Sequence, residues 1–243
     1  MENALSNGYK AVAIPFKSVG TVVDGKRGVY LTQIIPLGAD KMTTTENTVQ
    51  LQTLNEGGKG GTVYTYHKGE DPDDRYFSQP GWYQNRNKVG TSKAPDQFYP
   101  EGTGLWVSGP ATAIKFQTSG EVELDTVNTD LVSGYRLVAN PYPTTIKLTN
   151  IIPTGVDKMT TTENTVQIQT LNTEGKGGTV YTYHKGEDPD DRYFSQPGWY
   201  QNRNKVGTSK APDPDIPAGT ALWVSSQSSA ISVNIVTPFE DFE

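Results

Sequence analysis

Apolar and polar residues alternate with a period of two along most of this chain, which predicts strands. In Thr62–His67, Val63, Thr65 and His67 fall on one face, with Tyr64 and Tyr66 on the other. Val49 and Leu51 alternate with Gln50 and Gln52, and Ile114 and Phe116 with Lys115 and Gln117. Near the end, Ile231, Val233 and Ile235 keep the same step. Turns rich in Gly and Asn separate the runs, and Asp24-Gly25 reads as a hairpin tip. No window carries a sustained helical period; a single turn near Leu37 to Lys41 is the most helix expected.

The chain is a tandem duplication. Residues 40–96 and 157–213 align without a gap at an offset of 117 and differ only at Leu51/Ile168, Glu56/Thr173 and Gly57/Glu174. Upstream, Gly8-Tyr-Lys-Ala-Val-Ala-Ile-Pro-Phe16 parallels Gly134-Tyr-Arg-Leu-Val-Ala-Asn-Pro-Tyr142, and the first copy carries nine extra residues around Gly20 to Gly28. Downstream, Pro100-Glu-Gly-Thr-Gly-Leu-Trp-Val107 parallels Pro217-Ala-Gly-Thr-Ala-Leu-Trp-Val224. The expected organisation is all-β: two tandem homologous domains, 1–118 and 134–243, each a small β-sandwich or partly open β-barrel, joined by a strand or linker over 119–133.

Composition narrows the function. The 243 residues are only 34% hydrophobic, so the core is thin and built from β-branched and aromatic side chains. A net charge of −6 argues against nucleic-acid binding, and no run is long and apolar enough to span a membrane. Without cysteine there are no disulfides, thiolate metal sites or Cys nucleophiles. The first eight residues show no signal-peptide pattern.

Candidate chemistry is sparse. His67-Lys-Gly-Glu-Asp-Pro-Asp-Asp-Arg75 recurs as His184 to Arg192, and its carboxylates (Glu70, Asp71, Asp73, Asp74; Glu187, Asp188, Asp190, Asp191) are candidate oxygen ligands for Ca²⁺. The spacing is not that of an EF-hand, and a solvated loop with local Arg and Lys pairing is the plainer reading; no other cofactor is expected. Gly57-Gly-Lys-Gly-Gly-Thr62 lacks the phosphate-loop order and reads as a hairpin tip. The two histidines have no motif-borne nucleophile beside them, so no enzyme is expected. Trp106 and Trp223, each in a Leu-Trp-Val run, are expected in the core. Trp82, Tyr83 and Arg86, with Trp199, Tyr200 and Arg203, are read as interface or core, with stacking on sugar rings a further role.

The opening Gly-Tyr-Arg-Leu-Val-Ala-Asn-Pro-Tyr-Pro at 134–143 and the close Pro-Ala-Gly-Thr-Ala-Leu-Trp-Val at 217–224 resemble the frame of uncharacterised exported β-repeat domains of bacterial surface proteins. The resemblance implies an extracellular or cell-surface, structural or adhesive role and supplies no catalytic residues. The chain departs from it in having Gly-Leu-Trp or Ala-Leu-Trp where the frame has Gly-Phe-Trp.

The leading expectation is a structural subunit that self-assembles head to tail into a filament or surface layer, through a heterologous contact between copies. Strand exchange would use Tyr9, Val12, Ile14 and Phe16 at one end and Ile231, Val233, Ile235, Phe239 and Phe242 at the other. The alternatives are a carbohydrate-binding or adhesive module with paired aromatic sites, and a phage or capsid decoration protein.

Overall fold

The computed structural model describes residues 2–4, 8–13, 16–17, 22–54, 60–69, 76–109, 114–117, 121–171, 177–186 and 194–239, with the backbone alone for 2–4, 9, 16, 17, 117 and 171. The expected all-β class is what forms: small antiparallel sheets, with short 3₁₀ turns at Leu31–Gln33 and Leu148–Asn150. Those turns are not at Leu37 to Lys41, because Ile35–Leu37 is a strand. They form where side chains supply acceptors for main-chain N–H groups. Gln33 accepts from Tyr30 N–H, and Asn150 from Lys147 N–H. Asp96 and Asp213 accept from the N–H groups of Thr32 and Thr149.

Each copy contains a six-stranded antiparallel sheet. In the first the order is Asn87–Lys88, Gly81–Gln84, Gly60–His67, Val49–Leu54, Gly104–Gly109, Gly8–Ala13; the second repeats it from Asn204–Lys205 to Gly134–Ala139. The alternation read in sequence sorts the faces, with Val49, Leu51, Tyr64 and Tyr66 buried and Val63 exposed. A three-stranded sheet accompanies each: Glu2–Ala4, Lys115–Gln117, Ile35–Leu37 in one copy, and Val127–Asp130, Ser232–Ile235, Ile151–Thr154 in the other. One apolar cluster is drawn from residues between Val12 and Phe116, another from residues between Leu131 and Ile235.

The segment expected as a linker is divided between the copies. Glu121–Val122 pairs with Phe16–Lys17, whereas Val127–Asp130 pairs with Ser232–Ile235. The register Asn128↔Asn234 repeats Glu2↔Gln117, so Val127–Asp130 is the first strand of the second copy. The insertion forms the expected hairpin, Val22–Val23 with Lys26–Tyr30, and both tip residues take the positive φ that a two-residue turn demands: 50° at Asp24 and 75° at Gly25. From it Lys26 reaches Asp130, and Arg27 reaches Glu121.

The motif residues of the frame are architectural. Asn140 is buried; its amide donates to the carbonyls of Thr144 and Ile216 while its oxygen accepts from Tyr142 N–H. The Tyr142 hydroxyl sits 2.8 Å from the carbonyl of Asp125 and 2.7 Å from that of Ile235, clamping the last strand.

Candidate functional site

Of the two places expected for Trp82 and Trp199, the structure gives the core, whereas Trp106 and Trp223 lie outside the core expected for them. Trp82, only 1% exposed, lies in the core, where its indole N–H donates to the Ile34 carbonyl at 2.6 Å; Trp199 does the same to Ile151 at 2.7 Å. Neither is a surface platform, because each packs inward with Tyr66 or Tyr183. Trp106 and Trp223 are instead only partly buried, and they lie where the two copies meet. Alternation explains it: Leu105 and Val107 face the core, so the residue between them must face away.

Tyr83 and Tyr200 are also packed away. His67 stacks on Phe77 at 3.8 Å, nearly parallel, and Tyr83 closes edge-on against both, its hydroxyl donating to the Gln79 carbonyl. His184, Phe194 and Tyr200 repeat the group. His67 shares a face with exposed Val63 yet is buried, because Phe77 covers it. Arg86 and Arg203 do reach the surface, at hairpin tips where they hold φ values of 69° and 66°. Arg86 lies over the Tyr76 ring at 5.1 Å. In the second copy an open depression of about 560 Å³ is lined by Thr161, Val180, Thr182, Phe194, Tyr200 and Arg203.

The terminal strands are engaged at home. Val233 and Ile235 are fully buried in the middle strand of a three-stranded sheet, paired on both sides, and Ile231, just before that strand, is fully buried too. Within one chain this strand has no free edge. Phe239 packs edge-on against Tyr142, Val12 is buried opposite Leu105, and the backbones at Tyr9 and Phe16 lie in paired strands. Ile14, Phe242 and all eight carboxylates of the proposed Ca²⁺ loops lie outside the described residues, as do Gly57, Gly58 and Lys59 of the Gly57–Thr62 stretch.

The contact between copies is the most informative surface. Ala11, Ala13, Leu137, Ala139 and Ala221 form a third apolar cluster, with Leu54, Trp106 and Trp223 packed against it. Ala13 N–H donates to the Gly219 carbonyl and Ala139 N–H to the Gly102 carbonyl, both at 2.9 Å. Ala13 corresponds to Ala139, and Gly102 to Gly219, so these bonds are one contact made twice. Two bridges, Val12 with Thr220 and Thr103 with Val138, follow the same exchange. Trp106 and its own counterpart Trp223 meet edge-on at 5.9 Å. Such pairing is isologous, related by a local two-fold axis, and a two-fold contact closes on itself. Gly102 and Gly219, at φ 77° and 74°, are the glycines of the Pro-x-Gly-Thr turns, whose carbonyls thereby face the other copy.

Four of the sheet edges are blunted. The outer strands Asn87–Lys88 and Asn204–Lys205 are two residues long and carry lysine, and Ile35–Leu37 and Ile151–Thr154 each contain a proline.

Beside the axis, an open cleft of about 400 Å³ runs between the copies. Thr53, Gln97 and Thr103 line one wall, Tyr135, Arg136 and Leu137 the other. Tyr135 is 47% exposed and leans on Trp223, ring centroids 5.6 Å apart. Neither Tyr135 nor Arg136 stands out in sequence; only the meeting of the copies assembles them. Comparison with protein-family models, curated proteins and solved structures finds no match to this chain. No helix among the described residues is long and apolar enough to cross a membrane.

Proposed function

We propose that this protein is a non-catalytic adhesive protein of the cell surface or extracellular space, built as two tandem β-domains that hold glycans at the seam between them. The observation that carries the reading is Tyr135: a half-exposed ring, supported from behind by Trp223, at the rim of a cleft lined with hydroxyl and amide groups. Rings held flat beside planar hydrogen-bonding groups suit sugars, which offer an apolar face and a polar periphery. Separate apolar clusters support the two-domain division. Both histidines are packed beneath Phe77 and Phe194, which leaves the described residues without an accessible imidazole base. The extracellular placement rests on the Asn-Pro-Tyr-Pro and Pro-x-Gly frame.

A glycan array probed with the intact chain and with Tyr135→Ala tests this. Specific binding that falls about tenfold in the variant, at unchanged melting temperature, is the expected result. A blank array overturns it.

A second reading, a subunit that self-assembles into a filament or layer, is favoured by one observation: Ile35, Leu37, Val122 and Leu124 are large apolar residues exposed to solvent. Assembly of that kind would join side-chain patches rather than strands. Sedimentation velocity that remains monomeric at high concentration eliminates it.

A further inference from the structure

At the seam cleft two cations, Lys26 and Arg136, share one carboxylate, that of Asp130. Arg136 is partly buried, and burial holds its guanidinium below its ordinary pKa. It donates to the main-chain carbonyl of Asp130. The Asp130 carboxylate accepts from Ser232 and pairs with Lys26, and it acts on Arg136 only through space. Among the described residues no carboxylate lies within ion-pair distance of Arg136. A guanidinium has five N–H donors in a planar fork, and removing it from water without a counter-ion is unfavourable. In a chain of net charge −6, a partly desolvated arginine that shares its nearby carboxylate with Lys26 marks a place where a further anion is stabilising.

The rest of the cleft defines the anion. Beside the fork stand the Thr53 and Thr103 hydroxyls, the Gln97 amide and the Tyr135 ring, over a floor that includes Leu54 and Pro100. A free inorganic anion could use the hydroxyls but would leave the ring unused; an acidic peptide would leave the exposed ring without a flat partner. The geometry points to an acidic sugar: the seam cleft binds one hexuronic acid residue of a glycan, its carboxylate on Arg136 and its ring against Tyr135. This rests on the reading of the seam as the binding element and names its ligand class.

The two-fold axis makes the claim sharper. Tyr99 also lines the cleft, and the positions equivalent to Arg136, Gln97 and Tyr99 in the other half of the seam are Lys10, Pro214 and Ile216. Lysine lacks the planar fork, and proline and isoleucine lack side-chain hydrogen-bonding groups. Two nearly identical copies therefore create one acidic-sugar site per chain, whereas any site on the repeated hairpins would appear twice.

Titration calorimetry and ¹⁵N NMR on the full chain decide it, with digalacturonate, its neutral counterpart digalactose, and acetate as probes. Digalacturonate is expected to bind with a stoichiometry of one, about tenfold tighter than digalactose, and to shift the Tyr135 and Arg136 amides. Arg136→Gln should erase that preference and Arg136→Lys should restore little of it, while Lys10→Gln changes nothing; the amide spectra report whether each variant is folded. A stoichiometry of two, acetate binding as tightly as digalacturonate, or an undiminished preference in both Arg136 variants overturns the inference. Equal binding of neutral and acidic sugars also overturns it while sparing the broader adhesive reading; a blank glycan array defeats that broader reading separately.

Discussion

Gly104 lies against Ala221, its own counterpart in the other copy, and a methyl group built on Gly104 would sit 2.7 Å from the Ala221 Cβ and 2.6 Å from the Leu137 Cβ. A residue that meets its own equivalent marks the axis, and here the axis has room for one methyl group, which Ala221 supplies. Gly104→Ala should therefore overpack the seam and cost about 1–3 kcal/mol. Chemical denaturation of the variant measures it, and an unchanged midpoint would mean the copies do not meet as described.

The tryptophans separate core from surface. Trp82→Ala should cost about 3–5 kcal/mol, since it empties a packed site and strands the Ile34 carbonyl. Tyr135→Ala, at an exposed position, should change stability by less than about 0.5 kcal/mol. Urea midpoints for the pair check the assignment, and a Trp82→Ala protein as stable as the parent would return Trp82 to the surface.

Two buried tyrosines should respond oppositely to loss of the hydroxyl. The Tyr99 hydroxyl is buried with no hydrogen-bond partner among the described residues, so Tyr99→Phe should be neutral or stabilising by up to about 1 kcal/mol. The Tyr142 hydroxyl serves the carbonyls of Asp125 and Ile235, so Tyr142→Phe should cost about 1–2 kcal/mol. Calorimetric melting of both variants tests the contrast.

The same two phenols set an alkaline limit. Burial pushes Tyr99 and Tyr142 above the ordinary tyrosine value, with the nearby Tyr64 and Asp96 adding to Tyr99 and Glu123, Glu101 and Asp125 adding to Tyr142. Both stay protonated in the fold while the unfolded chain ionises near pH 10, so their contribution is complete below that pH and declines above it. Stability measured from pH 8 to 12 should be level at first and then fall; Tyr142→Phe should make the fall shallower.

At the hairpin tip, Arg86 occupies a left-handed conformation that glycine adopts without strain. Arg86→Gly should stabilise the protein by up to about 1 kcal/mol, less whatever the Tyr76 contact contributes. A clear loss of stability would mean that contact outweighs the backbone strain.

The local level of the fold was legible in the chain. The alternation at Val63–His67 and the Asp24-Gly25 turn are local patterns, and local sterics produce them. Trp106 was legible too, had its alternation outweighed its apolar neighbours: a tryptophan between Leu105 and Val107 must lie on the other face of the strand. His67 shows the limit of that reading, because Phe77, ten residues on, covers a side chain that periodicity assigns outward. The two-fold axis was not legible, since no pattern along a duplicated chain states how its halves turn toward one another. Tyr135 and Arg136 acquire their cleft only from that turn.

The near-identity of the two copies leaves the central strands with no label of ownership. Val49–Leu54 has no chemical reason to choose Gly60–His67 over Gly177–His184, which carries the same side chains. What tells the halves apart is their divergent margins: the Asp24-Gly25 hairpin, the Asn140 and Tyr142 clamp, and unlike closing strands at Lys115–Gln117 and Ser232–Ile235. These serve as addresses during folding, and a newly made chain avoids trading strands between its halves when the first closes before the second has been synthesised.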